Sequence, residues 1–309
     1  ILLAAVAFAG TSPNAGYEAF KTLIKSQTEA QVKHEQGQFQ LEVIDNGKSL
    51  VKASGTVLGD QENHKIQGNL NVMAGPLSKS LEFYGEKDTF HLLDLEKKQA
   101  YVGTEDPMNP EGMASEWQDE NAWHERDNHR EMGQWDAAAE AFFDQMMGDM
   151  TKQFTLIDDK DGSKDIAFSI QASEMPTWLT LMIAAKHDDS TDEIDLEDKR
   201  AMGHGMNKEM MAKYPLFAEL MGLEAYMPEL EDQKQVEQLR VKFDLNAENT
   251  LVGMDFSVGV SGLDKDGLSH QLEINGEISF IAAESQLSVK PLDLTGYEVF
   301  ELPKHSDNQ

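Results

Sequence analysis

Phe39-Gln40-Leu41-Glu42-Val43-Ile44-Asp45-Asn46-Gly47-Lys48 decides how this chain is read. Phe39, Leu41 and Val43 alternate with Gln40 and Glu42, the period-two pattern of a strand with one buried face. Asn46-Gly47 accepts the positive φ angles of a type I′ turn, so the pattern predicts a hairpin. Working outward, 49–58, 65–73, 79–85, 89–95 and 99–102 continue as short strands separated by Gly, Asp and Lys turns. Residues 37–102 therefore read as a β-meander. Upstream, Tyr17, Phe20, Leu23 and Ile24 fall on one side of an amphipathic helix over 17–25. Before it, 11–16 is a turn-rich linker containing Pro13 and Gly16.

Composition changes at Thr104. Residues 105–133 are polar and include Pro107, Pro110, Trp117 and Trp123, the make-up of a long connection or lid. A helix follows over 136–150. A hairpin of 154–157 and 165–170 turns at Asp159-Lys160-Asp161-Gly162, and 176–186 is a short apolar helix. Residues 199–222 read as helix interrupted by Gly203, Gly205 and Pro215. A second antiparallel meander takes 236–245, 251–260, 269–279 and 287–289, and 295–302 is a last strand. The order predicts an α+β fold: a curved antiparallel β-sheet, half-barrel-like, covered by helices on one face, with an apolar N-terminal extension. The expected organisation is a donor segment and linker (1–15), one domain (16–303) and a polar tail (304–309). Within the domain lie a meander (37–102), a helical or lid insert (104–235) and a second meander (236–302).

The 309 residues carry 56 acidic and 26 basic side chains, a net charge of -30. Such a surface repels nucleic acid and anionic headgroups, so neither is an expected partner. Cysteine is absent, which excludes a disulfide framework and thiolate chemistry. No run approaches the roughly 18 apolar residues that span a bilayer as a helix. Ile1-Leu2-Leu3-Ala4-Ala5-Val6-Ala7-Phe8-Ala9-Gly10 is apolar or small throughout and resembles the tail of a secretory signal. Ile1 reads as the processed or truncated end of a secreted protein. Exposing such a segment costs about 25 cal/mol per Å² of apolar surface, so it needs a groove in its own chain or in a neighbour.

The helix at Gly16-Tyr17-Glu18-Ala19-Phe20-Lys21, the strand pair running from Leu81 to Asp94 and the closing meander from Val241 to Phe280 give the chain a further likeness. Over most of 16–302 this pattern resembles the bacterial LolA/LppX-like lipoprotein-carrier fold. That resemblance implies a half-barrel of antiparallel strands closed by helices, with room for a lipid. The chain lacks the lipobox cysteine of the lipoprotein members, so the resemblance does not extend to a lipid anchor. In its apolar N-terminus it also resembles extracellular filament subunits that donate a strand to the next subunit.

Few constellations suggest chemistry. His124 and His129 are five residues apart, roughly 140° around a helix, which fails the zinc-protease spacing of four. Asp159-Lys160-Asp161-Gly162 and Asp264-Lys265-Asp266-Gly267 echo EF-hand loops, but the first loop position would fall on Ile157 or Gly262. Hairpin turns explain both. Met202, Met206 and Met210 offer soft ligands for Cu(I), yet their i, i+4 spacing makes them one apolar helix face. With Phe142, Met146, Trp178, Met182 and Phe217, Met206 and Met210 are the expected lining of an apolar groove or ligand cavity. The loop 188–198 has seven acidic residues in eleven, and Asp188, Asp189, Asp192, Glu193 and Asp195 are candidate calcium ligands. No other cofactor is expected, and no motif of an enzyme is present.

The leading expectation is a secreted bacterial structural subunit at the cell surface or beyond it. It polymerises into an extracellular filament, itself its own partner, with Ile1, Leu2, Leu3, Val6 and Phe8 of the donor strand forming the subunit interface. The alternative is a monomeric periplasmic or cell-surface carrier of a lipid or other apolar ligand.

Overall fold

The computed structural model describes residues 14–29, 34–60, 64–86, 89–103, 137–176, 212–282 and 292–302. Its frame is a single sheet of twelve strands. In chain order these are β1 (His34–Asp45), β2 (Lys48–Asp60), β3 (Lys65–Ala74), β4 (Leu77–Glu86), β5 (Thr89–Asp94), β6 (Gln99–Gly103), β7 (Phe154–Asp158), β8 (Lys164–Gln171), β9 (Leu230–Leu245), β10 (Leu251–Asp264), β11 (Ser269–Ala282) and β12 (Glu298–Glu301). The spatial order is β12-β6-β5-β4-β3-β2-β1-β11-β10-β9-β8-β7. All neighbours are antiparallel except β12, which runs parallel to β6. The first hairpin turns where its sequence predicts, with Asn46 at φ 48° and Gly47 at φ 78°. The strands before and after it meet a remote partner: β1 lies beside β11, from Glu35 opposite Ala282 to Asp45 opposite Leu272.

Because side chains alternate across a strand and opposed residues share a face, the register defines two faces. One row runs Leu156–Ile166–Phe243–Met254–Ile278–Phe39–Gly55–Leu70–Leu81, each residue opposite the next. It crosses nine strands without a polar side chain. The row one residue away runs Ala167–Lys242–Asp255–Glu277–Gln40–Ser54–Asn71 and is polar after its first member. The sheet is therefore apolar on one face and polar on the other over most of its width.

The described helices are α1 (Ala15–Glu29), α2 (Ala137–Met147) and α3 (Pro215–Met221), with 3₁₀ turns at Gly148–Gln153, Ala172–Glu174 and Gly222–Tyr226. They gather at the two ends of the strand order. At one end Tyr17, Phe20 and Leu23 of α1 join Met150, Phe154, Ile166, Phe168 and Ile170 in a core on β7–β9. Phe154 is its centre, with ring centroids 4.9 Å from Phe20 and 4.7 Å from Phe168. At the other end Tyr214 and Leu216 at the start of α3 pack with Leu81 and Tyr101, and Tyr101 stacks on Phe300 of β12 at 5.1 Å.

The expectation of a half-barrel covered by helices on one face is thus overturned. Among the described residues the molecule is a large mixed sheet with few helices. Twelve strands at about 4.8 Å spacing span about 50 Å. Helices about 10 Å across would have to number about five to cover that width. Three are found among the described residues, one of them seven residues long. An amphipathic helix pattern shows only that one stripe needs an apolar partner. Two or three strands satisfy it, so the pattern carries no information on how much sheet the helix covers.

Candidate functional site

Between the two helix-packed ends lies the middle of the apolar face. Neither core contains a residue of β1, β2 or β11, and β10 contributes only Leu251 at its first position. The interval from β9 to β3 is five strand steps, roughly 24 Å. Its side chains include Phe39, Leu41, Val57, Phe256, Ile274 and Ile278, all half-buried.

Here the sheet uses aromatic rings laid over glycines. Phe39 lies opposite Gly55, Phe83 opposite Gly68 and Phe256 opposite Gly276. A Cβ on Gly276 would sit 2.1 Å from the Phe256 ring. One on Gly55 would sit 2.1 Å from the Asn69 carbonyl and 2.8 Å from the Phe39 ring. The rings pack over glycine backbone, which leaves this stretch of the face without protruding Cβ atoms at those positions.

Ionic clusters pin the helices that flank this strip. Lys79 and Asp94, 4% and 0% exposed, pair at 3.0 Å inside the face, and Lys79 also meets Glu219 of α3 at 2.6 Å. Lys97 completes the group by pairing with Glu219. Asp94 Oδ1 accepts the amides of Glu96 and Lys97, each at 3.0 Å. Burial opposes the Asp94 charge, but the Lys97 amide and the Lys79 ammonium outweigh it and hold the carboxyl below its ordinary value. Burial likewise opposes the Lys79 charge, and Glu219 and Asp94 hold it above its ordinary value. At the far end Lys21 of α1 bridges Glu18, Glu140 and Asp144 at 3.1 to 3.3 Å, tying α1 to α2. Tyr17 donates its hydroxyl to Asp144 at 2.6 Å; burial and that carboxylate push its phenol above the ordinary range.

The opposite face carries a transverse trough of about 830 Å³. Glu42–Lys52 at 3.0 Å and Lys242–Asp255 at 2.9 Å are ion pairs along its walls. The hydrogen bonds that it donates to Asp244 and Asp255 hold the Lys242 ammonium above its ordinary value.

The sequence-predicted lining is only partly placed. Met146 lines a depression of about 490 Å³ with Met147, Met150, Ile170 and Pro176 at the β8 end. Phe217 packs edge-on against Tyr101, 5.5 Å away, at the β6 end. The described structure does not bring these two together. The Phe142 side chain and Trp178, Met182, Met206 and Met210 lie outside the described residues, as do the donor residues Ile1, Leu2, Leu3, Val6 and Phe8. So do the calcium candidates Asp188, Asp189, Asp192, Glu193 and Asp195. Among the described residues no group of three or more His, Asp or Glu is arranged to hold a metal, and no helix is long and apolar enough to cross a membrane. What sequence reading missed is the strip itself. Its signal was the alternation in β1, β2, β10 and β11, whose apolar members are the strip.

No family model and no curated protein matches the chain. Among solved structures it is similar to an uncharacterized conserved protein from Thermus thermophilus, at 7% identity over 93% of this chain and 99% of that one, with a TM-score of 0.27. It is also similar to a DUF1329 family protein from Desulfovibrio piger, at 7% identity over 91% and 96% of the two chains, with a TM-score of 0.22. At these scores no residue or role passes from either structure to this one.

Proposed function

We propose that this protein is a non-enzymatic binding protein that seats an apolar chain, of the acyl type, on the middle of its apolar face. The observation that carries the reading is the strip of apolar side chains and ring-covered glycines between two helix-packed ends. A smooth apolar surface suits a flexible hydrocarbon, which needs area and no directed polar groups. Each methylene removed from water contributes about 0.8 kcal/mol, so eight contribute about 6 kcal/mol before the costs of association. The acidic surface directs such a carrier away from anionic membranes.

Strand donation finds less support. Among the described residues the sheet's edges are β7 and β12, of five and four residues. A ten-residue donor, about 33 Å long, has no edge of its own length to extend among the described residues. A donor from a second copy would have to lie across the same apolar strip.

The test uses two neighbouring residues on opposite faces. Ile278→Ser should weaken binding of a long-chain fatty acid, measured by isothermal titration calorimetry, by about tenfold, while Glu277→Ser leaves it unchanged. Equal effects from both, with folding intact by circular dichroism, would overturn the site. Loss of an N-terminal-deletion protein's ability to form filaments, with no fatty-acid binding in the full chain, would favour assembly instead.

A further inference from the structure

We infer that His270 is a pH-operated clip that locks together the turns ending the β1 and β10 strands when protonated and releases them when neutral. The ring sits between two carboxylates. Nδ1 is 2.9 Å from Asp45 Oδ2, 225 residues away in the chain, and Nε2 is 3.2 Å from Asp264 Oδ2. All three side chains are mostly buried, at 14%, 15% and 17% exposure. Both carboxylates only accept, so both contacts are hydrogen bonds only when both ring nitrogens carry protons. Deprotonation sends one proton to solvent and leaves a nitrogen lone pair facing a carboxylate oxygen.

The surroundings offer no ready substitute. Asp45 Oδ1 is buried without a hydrogen-bond partner among the described residues, so its carboxylate depends on the ring. The charged residues on the adjoining elements are Lys48, which is opposite Asp45 on β2, Lys265 and Asp266 in the β10–β11 turn, and Glu231 and Asp232 at the start of β9. Only Asp45 and Asp264 bond to the ring among the described residues.

The position gives the clip its leverage. Among the described residues, the pairing of β1 with β11 is the sole strand contact between the β1–β6 and β7–β11 portions of the sheet. His270 closes one end of that seam. Beside it, Asn46 donates its amide to the Gln271 carbonyl at 3.0 Å and its side chain to the Ser269 carbonyl at 3.1 Å. The hydrogen bonds that the ring donates to Asp45 and Asp264 hold the imidazole above its ordinary value. A group raised in this way stabilises fully below its unfolded value, and the contribution is lost as pH rises through the folded value. The clip is therefore closed below 6.5 and opens as pH rises through the ring's raised value.

The experiment is hydrogen exchange of the full chain between about pH 6 and about pH 9, with intrinsic rates divided out, alongside an NMR titration of the histidine rings. His270→Gln assigns the His270 resonance. The clip requires a His270 midpoint above 6.5 and a severalfold loss of protection in peptides containing Asn46 and Ser269 as pH rises, while those in β5 and β6 keep theirs. In His270→Gln that loss should vanish, and in Asp264→Asn the midpoint should fall. A midpoint at or below 6.5, or the same pH slope in His270→Gln, overturns the proposal.

Discussion

At the scale of the residue, the apolar face rests on side chains that are missing. Gly276 sits under the Phe256 ring, and a Cβ there would lie 2.1 Å from it. Gly276→Val should therefore destabilise the fold by about 1–3 kcal/mol, read from denaturant unfolding, through overpacking rather than through lost freedom of the chain. Gly47 is the contrasting case, since nothing lies within 4 Å of its added Cβ and its φ of 78° alone demands glycine. The buried pair is the other sensitive point. Lys79→Ala leaves Asp94 charged and 0% exposed, at a cost of about 3–5 kcal/mol. Because the Asp94 carboxyl is held below its ordinary 3.8, the stability it adds is present above that value and lost as pH falls through the folded one. Acid unfolding of wild type should begin at lower pH than that of Lys79→Ala, and coincident acid transitions would contradict this account of the pair. Sequence made the glycines visible but not their partners, because the Phe–Gly oppositions depend on register between strands far apart in the chain.

At the scale of the element, strands were legible and helices were only half so. Alternation and turn residues located β1 to β8, β10 and β11 to within a few residues, since those signals are local. β9 begins at Leu230, six residues before its expected start at 236, because Glu231, Asp232, Gln233 and Lys234 are exposed and show no alternation. A positive φ of 51° at Gln233 and register shifts against β10 interrupt that stretch further. Pro215 is expected to interrupt a longer helix, and it does: the helical residues 212–213 stop at Tyr214, and α3 starts afresh with Pro215 in its first turn. That helix is short, and its hold on the sheet is specific. Tyr214 donates its hydroxyl to the Glu301 carbonyl at 2.8 Å, and the Leu216 amide donates to the Tyr101 hydroxyl at 3.2 Å. Tyr214→Phe should cost about 1 kcal/mol and loosen β12, seen as faster hydrogen exchange at Phe300. On α1, Phe20 contacts both Phe154 and Phe243, so Phe154→Ala should cost about 3–5 kcal/mol and release α1 from the sheet. Unchanged α1 exchange in that variant would show that the Lys21 network alone holds it.

At the scale of the whole molecule, a sheet apolar on one face and polar on the other separates two kinds of surface on one frame. The net charge of -30 sets up a repulsion between copies that is screened over about 8 Å at physiological ionic strength. The pairing of β1 with β11 was not legible, since no local pattern states which of several alternating strands will meet across more than 200 residues. The apolar character of the face was legible, strand by strand. Its continuity was not, because that follows from strand order alone. The middle of this face is proposed to hold an apolar chain. Native mass spectrometry of the protein purified from its own source, followed by organic extraction, tests it most directly. One bound lipid-like molecule per chain, lost in Ile278→Ser and kept in Glu277→Ser, is the expected result. A bare chain mass in wild type, with nothing apolar in the extract, would contradict it.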